Sequence, residues 1–334
     1  MKVLVSTVPF GEIDHTSRER LDRAGIDVSI NPLGRKLKEN ELASLIKNVD
    51  VLIAGTESIT SHVLDQADKL KLIARVGIGL DSVDLLAAKQ RGIAVTYTPD
   101  APSPAVAELT VALMLNLLRS IHLVNERLHR GEWQRYFGRR LTECKIGIIG
   151  MGRIGSRVVS HLTGFGCRRV MVNDLDQSFI SDSTIRWEWQ DKDTIYREAD
   201  VISLHVPLTT LTKDMISMRE LHLMKSNAIL INTARGGIVN EDALFRVMTD
   251  GHLSAVGIDT FETEPYNGPL ASIDRCLLTA HMGSMSTDCR AQMELEAAEE
   301  VVRFVAGKPL SQKVPEEEYE LQRLVIEKIR DADG

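Results

Sequence analysis

The chain has 334 residues, 40 of them basic and 47 acidic, for a formal net charge of −7. At roughly 150 residues per domain this length predicts two domains, and a hydrophobic content of 43 % excludes wholesale disorder. The acidic balance argues against a nucleic-acid partner or an anionic membrane surface, and the most apolar stretch, Ala105 to Leu118, is too short to span a bilayer and carries Glu108.

Residues 1–102 alternate short β-branched runs with polar helical patterns. Lys2–Ser6, Asp27–Asn31, Val51–Ala54, Leu72–Val76 and Ile93–Thr96 read as strands, with helices near Ser17–Ala24, Glu39–Lys47, Thr60–Ala67 and Asp84–Arg91. Gly25 and Gly92 stand where helix stops want a left-handed residue. Strict alternation implies a parallel sheet with helices on both faces. A stiff loop, Thr98 to Pro104, follows, with Ser103 as N-cap and Pro104 in the first helical position. The helix it opens is apolar nearly all round, which predicts burial between layers or subunits.

A second alternating series has strands at Lys145–Ile149, Val170–Asn173, Val201–Leu204, Ala228–Asn232, Ala255–Asp259 and Leu277–Thr279. Trp187 and Trp189 read as half-buried strand packing. A helix is expected over Glu241–Thr249, and another near Ala291–Val305 would return the chain to the first domain. The end, Glu316 to Gly334, places Leu321, Leu324, Val325 and Ile329 at helical spacing, which predicts an amphipathic extra helix. Cys144, Cys167, Cys276 and Cys289 are scattered without metal-ligand spacing. They are read as free thiols of a reducing compartment, so a cytoplasmic protein without a metal site is expected.

Ile146-Gly147-Ile148-Ile149 runs into Gly150-Met151-Gly152-Arg153-Ile154-Gly155 and then a helical pattern. In this strand-turn-helix setting one glycine permits the tight turn, the next lets a pyrophosphate approach, and the third lets helix and strand pack closely. The helix N-terminus offers unpaired N–H groups to the phosphates. Asp174 ends the next strand about twenty residues on, where a carboxylate binds the adenosine ribose and disfavours a 2′-phosphate. NAD is therefore expected over NADP, with Asp176 as the competing acid. His205, Val206 and Pro207 follow a later strand and are placed at the adenine pocket.

Three further strand ends carry polar chemistry: Asn232-Thr233-Ala234-Arg235-Gly236-Gly237, Asp259-Thr260-Phe261-Glu262-Thr263-Glu264-Pro265 and Thr279-Ala280-His281-Met282-Gly283. Ligands of a doubly wound sheet sit at the carboxyl ends of its strands, which aims Arg235, Glu264 and His281 at one crevice. With the glycine motif, and in this order, these segments resemble the D-isomer-specific 2-hydroxyacid dehydrogenases, a group including phosphoglycerate, glyoxylate/hydroxypyruvate and D-lactate dehydrogenases. The resemblance runs to about Pro309.

The roles fit the chemistry. A planar guanidinium, Arg235, can grip a carboxylate and polarise a ketone. An imidazole, His281, titrates near working pH and can deliver the proton. A carboxylate, Glu264, beside that imidazole favours its charged form and fixes its tautomer. The resemblance implies an NAD-dependent oxidoreductase interconverting a D-2-hydroxy acid and its 2-oxo acid, active as a homodimer. It implies a Rossmann-type doubly wound α/β NAD-binding domain over residues 103–289. The flavodoxin-like α/β substrate-binding domain is assembled from residues 1–102 and 290–334. Cofactor contacts are implied at Gly150, Gly152, Arg153, Ile154, Gly155, Asp174, Thr233, Val106 and, against the nicotinamide, Asp259. Val76, Gly77 and Gly79 lie on the implied substrate loop, whose backbone N–H groups would take the substrate carboxylate beside Arg235 and His281.

Two departures bear on the substrate. Glu57 lies in the loop after the third strand, where phosphoglycerate dehydrogenases often carry arginine, and it would repel a phosphate if it pointed inward. Pro102 stands where many relatives have asparagine. Two alternatives share this fold: a non-catalytic NAD(H)-sensing interaction protein, and a dehydrogenase of formate or phosphite. Formate needs no proton relay to a ketone oxygen, so the complete Arg235, Glu264 and His281 set favours the hydroxy acid.

Overall fold

The computed structural model describes residues 1–177 and 187–332, with side chains followed to Leu324, so the side chains of the predicted apolar positions Val325 and Ile329 lie outside the description. The chain divides into two units, one of Met1–Pro102 with Met285–Gly334 and one of Ser103–Ser284.

The first unit opens with β1 (Val3–Val5), α1 (Thr16–Arg23), β2 (Val28–Ile30), α2 (Glu39–Leu45), β3 (Val51–Ala54), α3 (Ser61–Asp65), β4 (Leu72–Arg75), α4 (Leu85–Gln90) and β5 (Ala94–Thr96). Its five strands are parallel in the order β2-β1-β3-β4-β5. Leu4, Leu52, Ile73 and Val95 join one buried cluster with Leu42, Ile46 and Leu85, while Val3, Val5, Ile53 and Leu72 are buried on the alternate positions. Both faces are therefore covered, which is why these strands read as unbroken apolar runs.

The second unit begins with α5 (Ser103–Arg119) and α6 (Ile121–His129), and continues through β6 (Ile146–Ile149), α7 (Arg153–Gly164), β7 (Val170–Asn173), β8 (Glu188–Trp189) and α8 (Lys192–Glu198). It closes with β9 (Val201–Leu204), α9 (Met218–Leu223), β10 (Ile229–Asn232), α10 (Glu241–Thr249), β11 (Ala255–Ile258) and β12 (Cys276–Leu278). Seven parallel strands run β12-β11-β10-β9-β6-β7-β8. Ser103, expected as a cap, is the first helical residue, and Pro104 the second. Neither position needs an intrahelical N–H, so the one-residue shift costs nothing. Helix α5 packs its buried side, including Met114 and Leu117, into a core with β6 and α7. Trp187 and Trp189 are half-buried against that core. Back in the first unit, α11 (Thr287–Val305) lies along α1, and α12 (Glu316–Ala332) docks on α4. Gln322 fixes that contact, accepting the Leu86 N–H at 3.2 Å and donating to the Val83 carbonyl at 2.8 Å.

The four cysteines are buried free thiols. Among the described residues no single helix is long and apolar enough to cross a membrane, and no cluster of three His, Cys, Asp or Glu side chains could hold a metal ion.

Candidate active site

The glycine turn between β6 and α7 is built by close contact. Gly150 adopts φ +101°, and a Cβ there would lie 2.4 Å from the His205 carbonyl oxygen. A Cβ on Gly155 would lie 1.9 Å from the Gly150 carbonyl, so only glycine lets α7 begin this near the turn. Gly152 faces open space instead. The N-terminus of the 12-residue α7 starts there, with Arg153 exposed on its rim and Ile154 packed toward the core. Asp174, at the end of β7, closes the cradle: its Oδ2 accepts the Met151 N–H at 2.5 Å and its Oδ1 the Asp176 N–H at 3.1 Å. An unobstructed glycine, a helix N-terminus and a carboxylate at the adjacent strand end fit a dinucleotide.

His205 forms the floor beside Gly150. Its N–H donates to the Ile149 carbonyl at 2.7 Å, its Nε2 lies 2.9 Å from Ser203 Oγ, and its Nδ1 is buried without a partner among the described residues. Burial pushes this imidazole down to about 3, so it is a neutral wall at working pH. Val206 packs onto the core, and Pro207 is exposed after it.

The three polar strand ends lie side by side after β10, β11 and β12. Asn232 shapes the first turn, accepting the Ala234 N–H at 3.1 Å and donating to the Arg235 carbonyl at 2.8 Å. Arg235 is half-buried, and its Nη1 donates to the Ala234 carbonyl at 2.7 Å. The next residue must be glycine, because a Cβ on Gly236 would lie 2.0 Å from the Phe261 backbone. Thr233 meets the Thr110 hydroxyl at 2.8 Å, one turn along α5 from Val106, which packs against Gly283.

His281 sits in the left-handed region at φ +48°, a conformation that costs a side-chain-bearing residue energy unless its surroundings impose it. Asp259 imposes it. The Asp259 carbonyl accepts the His281 N–H at 2.8 Å; its Oδ1 accepts Thr279 Oγ1 at 2.6 Å and the Met282 N–H at 2.8 Å; its Oδ2 accepts the Gly283 N–H at 3.0 Å. Both carboxylate oxygens of Glu264 then lie 2.9 Å from His281 Nδ1. Nε2 has no partner among the described residues. The pair is open to solvent, at 37 % exposure for His281 and 29 % for Glu264.

The implied substrate loop of the first unit is tied down by its own backbone. The Val76 N–H is donated to the Ala54 carbonyl at 2.8 Å, and that of Gly77 to Thr98 Oγ1 at 2.8 Å. These bonds hold the loop to β3 and to the segment after β5. The N–H groups of Ile78 and Gly79 have no partner among the described residues. Arg75 braces the loop through the Gly79 carbonyl at 2.6 and 3.1 Å. Glu57 is 2 % exposed and folded back, its Oε1 accepting the Ser6 hydroxyl and, at 3.0 Å, the Gly55 N–H.

An imidazole held on one tautomer can hand a proton to an oxygen, and a dinucleotide on the same sheet can exchange hydride with the carbon bearing it. The class this defines is a dinucleotide-dependent oxidoreductase. Residues 111–283 match the family described as "D-isomer specific 2-hydroxyacid dehydrogenase, NAD binding domain", and the chain belongs to that family. It is 37 % identical over 276 residues to the D-3-phosphoglycerate dehydrogenase of Methanocaldococcus jannaschii, covering 81 % of this chain but 52 % of that relative, so it spans about half that protein's length. It is 35 % identical to the hydroxypyruvate reductase of Thermotoga maritima, covering 80 % of this chain and 88 % of the relative. The crystal structure of the TT0316 protein from Thermus thermophilus superposes with a TM-score of 0.85 at 33 % identity, over 94 % of this chain and all of that one. The protein is thus an NAD-dependent enzyme of the 2-hydroxyacid/2-oxoacid type, acting on CH–OH donors, with the expected α/β architecture.

Proposed function

We propose that the enzyme reduces a small unphosphorylated 2-oxo acid, of the glyoxylate or hydroxypyruvate type, to its D-2-hydroxy acid, and runs the reverse oxidation. The observation that carries this reading is an imidazole backed on Nδ1 by both oxygens of Glu264 while Nε2 is unengaged.

Arg235 grips the substrate carboxylate and draws charge onto the ketone oxygen. When bound, the dinucleotide supplies the hydride, held by the Gly150–Gly155 turn and Asp174. His281 gives its Nε2 proton to the oxygen as negative charge develops there, and Glu264 stabilises the charged ring and keeps Nε2 aimed. In the oxidative direction the neutral ring takes that proton back. Asp259 keeps the His281 turn in place.

The named relatives act on phosphorylated and unphosphorylated acids alike, and the loop after β3 favours the latter. Where a phosphate would want a cation, Glu57 is turned onto Ser6 and Gly55, and Arg75 is spent on carbonyl groups. The segment after α6 supports a homodimer, since Trp133 is 82 % exposed and Phe137 fully exposed, an unusual cost for a monomer. A cytoplasmic location fits the buried thiols. A panel of 2-oxo acids with NADH tests the reading. Glyoxylate or hydroxypyruvate should give the highest kcat/KM, and a preference for phosphohydroxypyruvate would overturn the substrate assignment.

A further inference from the structure

The loop that carries Glu264 is held from behind by a residue that touches neither the imidazole nor the guanidinium. Glu241 is the first residue of α10, whose cap Asn240 accepts the Ala243 N–H at 2.9 Å. Glu241 Oε1 accepts the backbone N–H of Glu262 at 2.8 Å, two residues before Glu264. On the same loop the Phe261 N–H reaches Glu264 Oε1 at 3.2 Å, so a shift of this backbone moves the carboxylate directly.

Phe261 before it is buried and stacks on Tyr266 with ring centroids 4.1 Å apart, while Glu262 itself is exposed, so the Glu241 bond is the hold on the stretch just before Glu264. A small void of about 10 Å³ is lined by Thr260, Ile258, Leu244 and Glu241 itself. The Thr260 hydroxyl is buried without a partner among the described residues. Burial raises the Glu241 carboxyl, the Glu262 N–H lowers it, and the nearby acids Glu262, Asp242 and Glu264 raise it again. An acid kept among three others is unfavourably placed for stability, yet well placed to accept one particular N–H.

We infer that Glu241 is a positioning residue, which through the Glu262 N–H sets the Glu264 carboxylate against His281 Nδ1. The inference rests on the proposed function and deepens it. Two variants separate the acceptor from the charge. Glu241→Ala and Glu241→Gln both lose the favourable acid in the first turn of α10, but only alanine removes the oxygen that takes the Glu262 N–H. With NADH and the best 2-oxo acid, Glu241→Ala should lose about 10-fold in kcat with KM for NADH unchanged, while Glu241→Gln stays within about twofold of the unaltered enzyme, as expected for a small misplacement and its rescue.

A second readout needs no substrate. The imidazole nitrogen shifts of His281, assigned with His281→Gln, should show one neutral tautomer in the unaltered protein and in Glu241→Gln, and a mixture in Glu241→Ala. Equal kcat losses in both variants, an unaffected kcat in Glu241→Ala, or one tautomer in all three proteins would overturn the inference. Should the unaltered protein reduce no 2-oxo acid at all, the proposed function fails while the imidazole spectrum still decides the role of Glu241.

Discussion

The two units share one plan, parallel strands with helices on both faces, and differ in what they do with charge at the strand ends. In the first unit the polar groups there are consumed internally. Arg290 and Glu294 of α11 pair at 2.6 Å with side chains 9 % and 2 % exposed, and Thr7 Oγ1 and the Gly11 N–H complete the network. In the second unit the Glu264–His281 pair is several times more open, and the glycine turn leaves a helix N-terminus facing open space. The same architecture thus yields an enclosed charge network in one place and a half-exposed one in the other. Burial decides between them: an enclosed ion pair must be fully satisfied to exist, whereas a half-exposed one can accept a ligand.

This contrast can be broken from either side. Arg290→Met would strand the Glu294 carboxylate in the first unit's interior and should cost about 3–5 kcal/mol of stability in urea unfolding of the full chain. Glu264→Gln, in the half-exposed pair, should cost under about 1 kcal/mol. Similar losses for both would erase the distinction. A pH-dependent effect sharpens it within the second unit, whose enclosed His205 avoids charge altogether. The folded ring is held down to about 3 against an ordinary 6.5. Its contribution to stability is complete above pH 6.5, and acidification toward 3 lets only the unfolded chain bind the proton. Stability should therefore fall by up to about 1.4 kcal/mol per pH unit across that window. The His205→Asn variant should show a shallower slope; an unchanged slope would mean the ring already titrates in the fold.

Much of this was readable in advance, for physical reasons. The glycine turn, the Asn232 turn and the Asp259–Glu264 segment encode their geometry in adjacent residues, so spacing alone reports them. Buried parallel strands announce themselves as apolar runs. Helix α6 carries Ile121, Val124 and Leu128 at helical spacing yet buries none of its side chains, and α9 is short and buries only Leu221, so for neither does an apolar pattern report a core contact. The fate of individual N–H groups was equally hidden. The Val76 N–H is taken by Ala54 and the Glu57 carboxylate by Ser6, partners distant in the chain. The hold of Asp259 on the His281 turn is another such long-range bond, set by Thr279 and the backbone of Met282 and Gly283.

The central claim is that His281, backed by Glu264, is the proton donor of the second unit. Single-turnover oxidation of bound NADH by glyoxylate in His281→Ala, with NADH affinity measured in parallel, addresses it most directly. The account predicts a rate lower by about 10²–10⁴-fold with nucleotide affinity intact. An undiminished rate would contradict it.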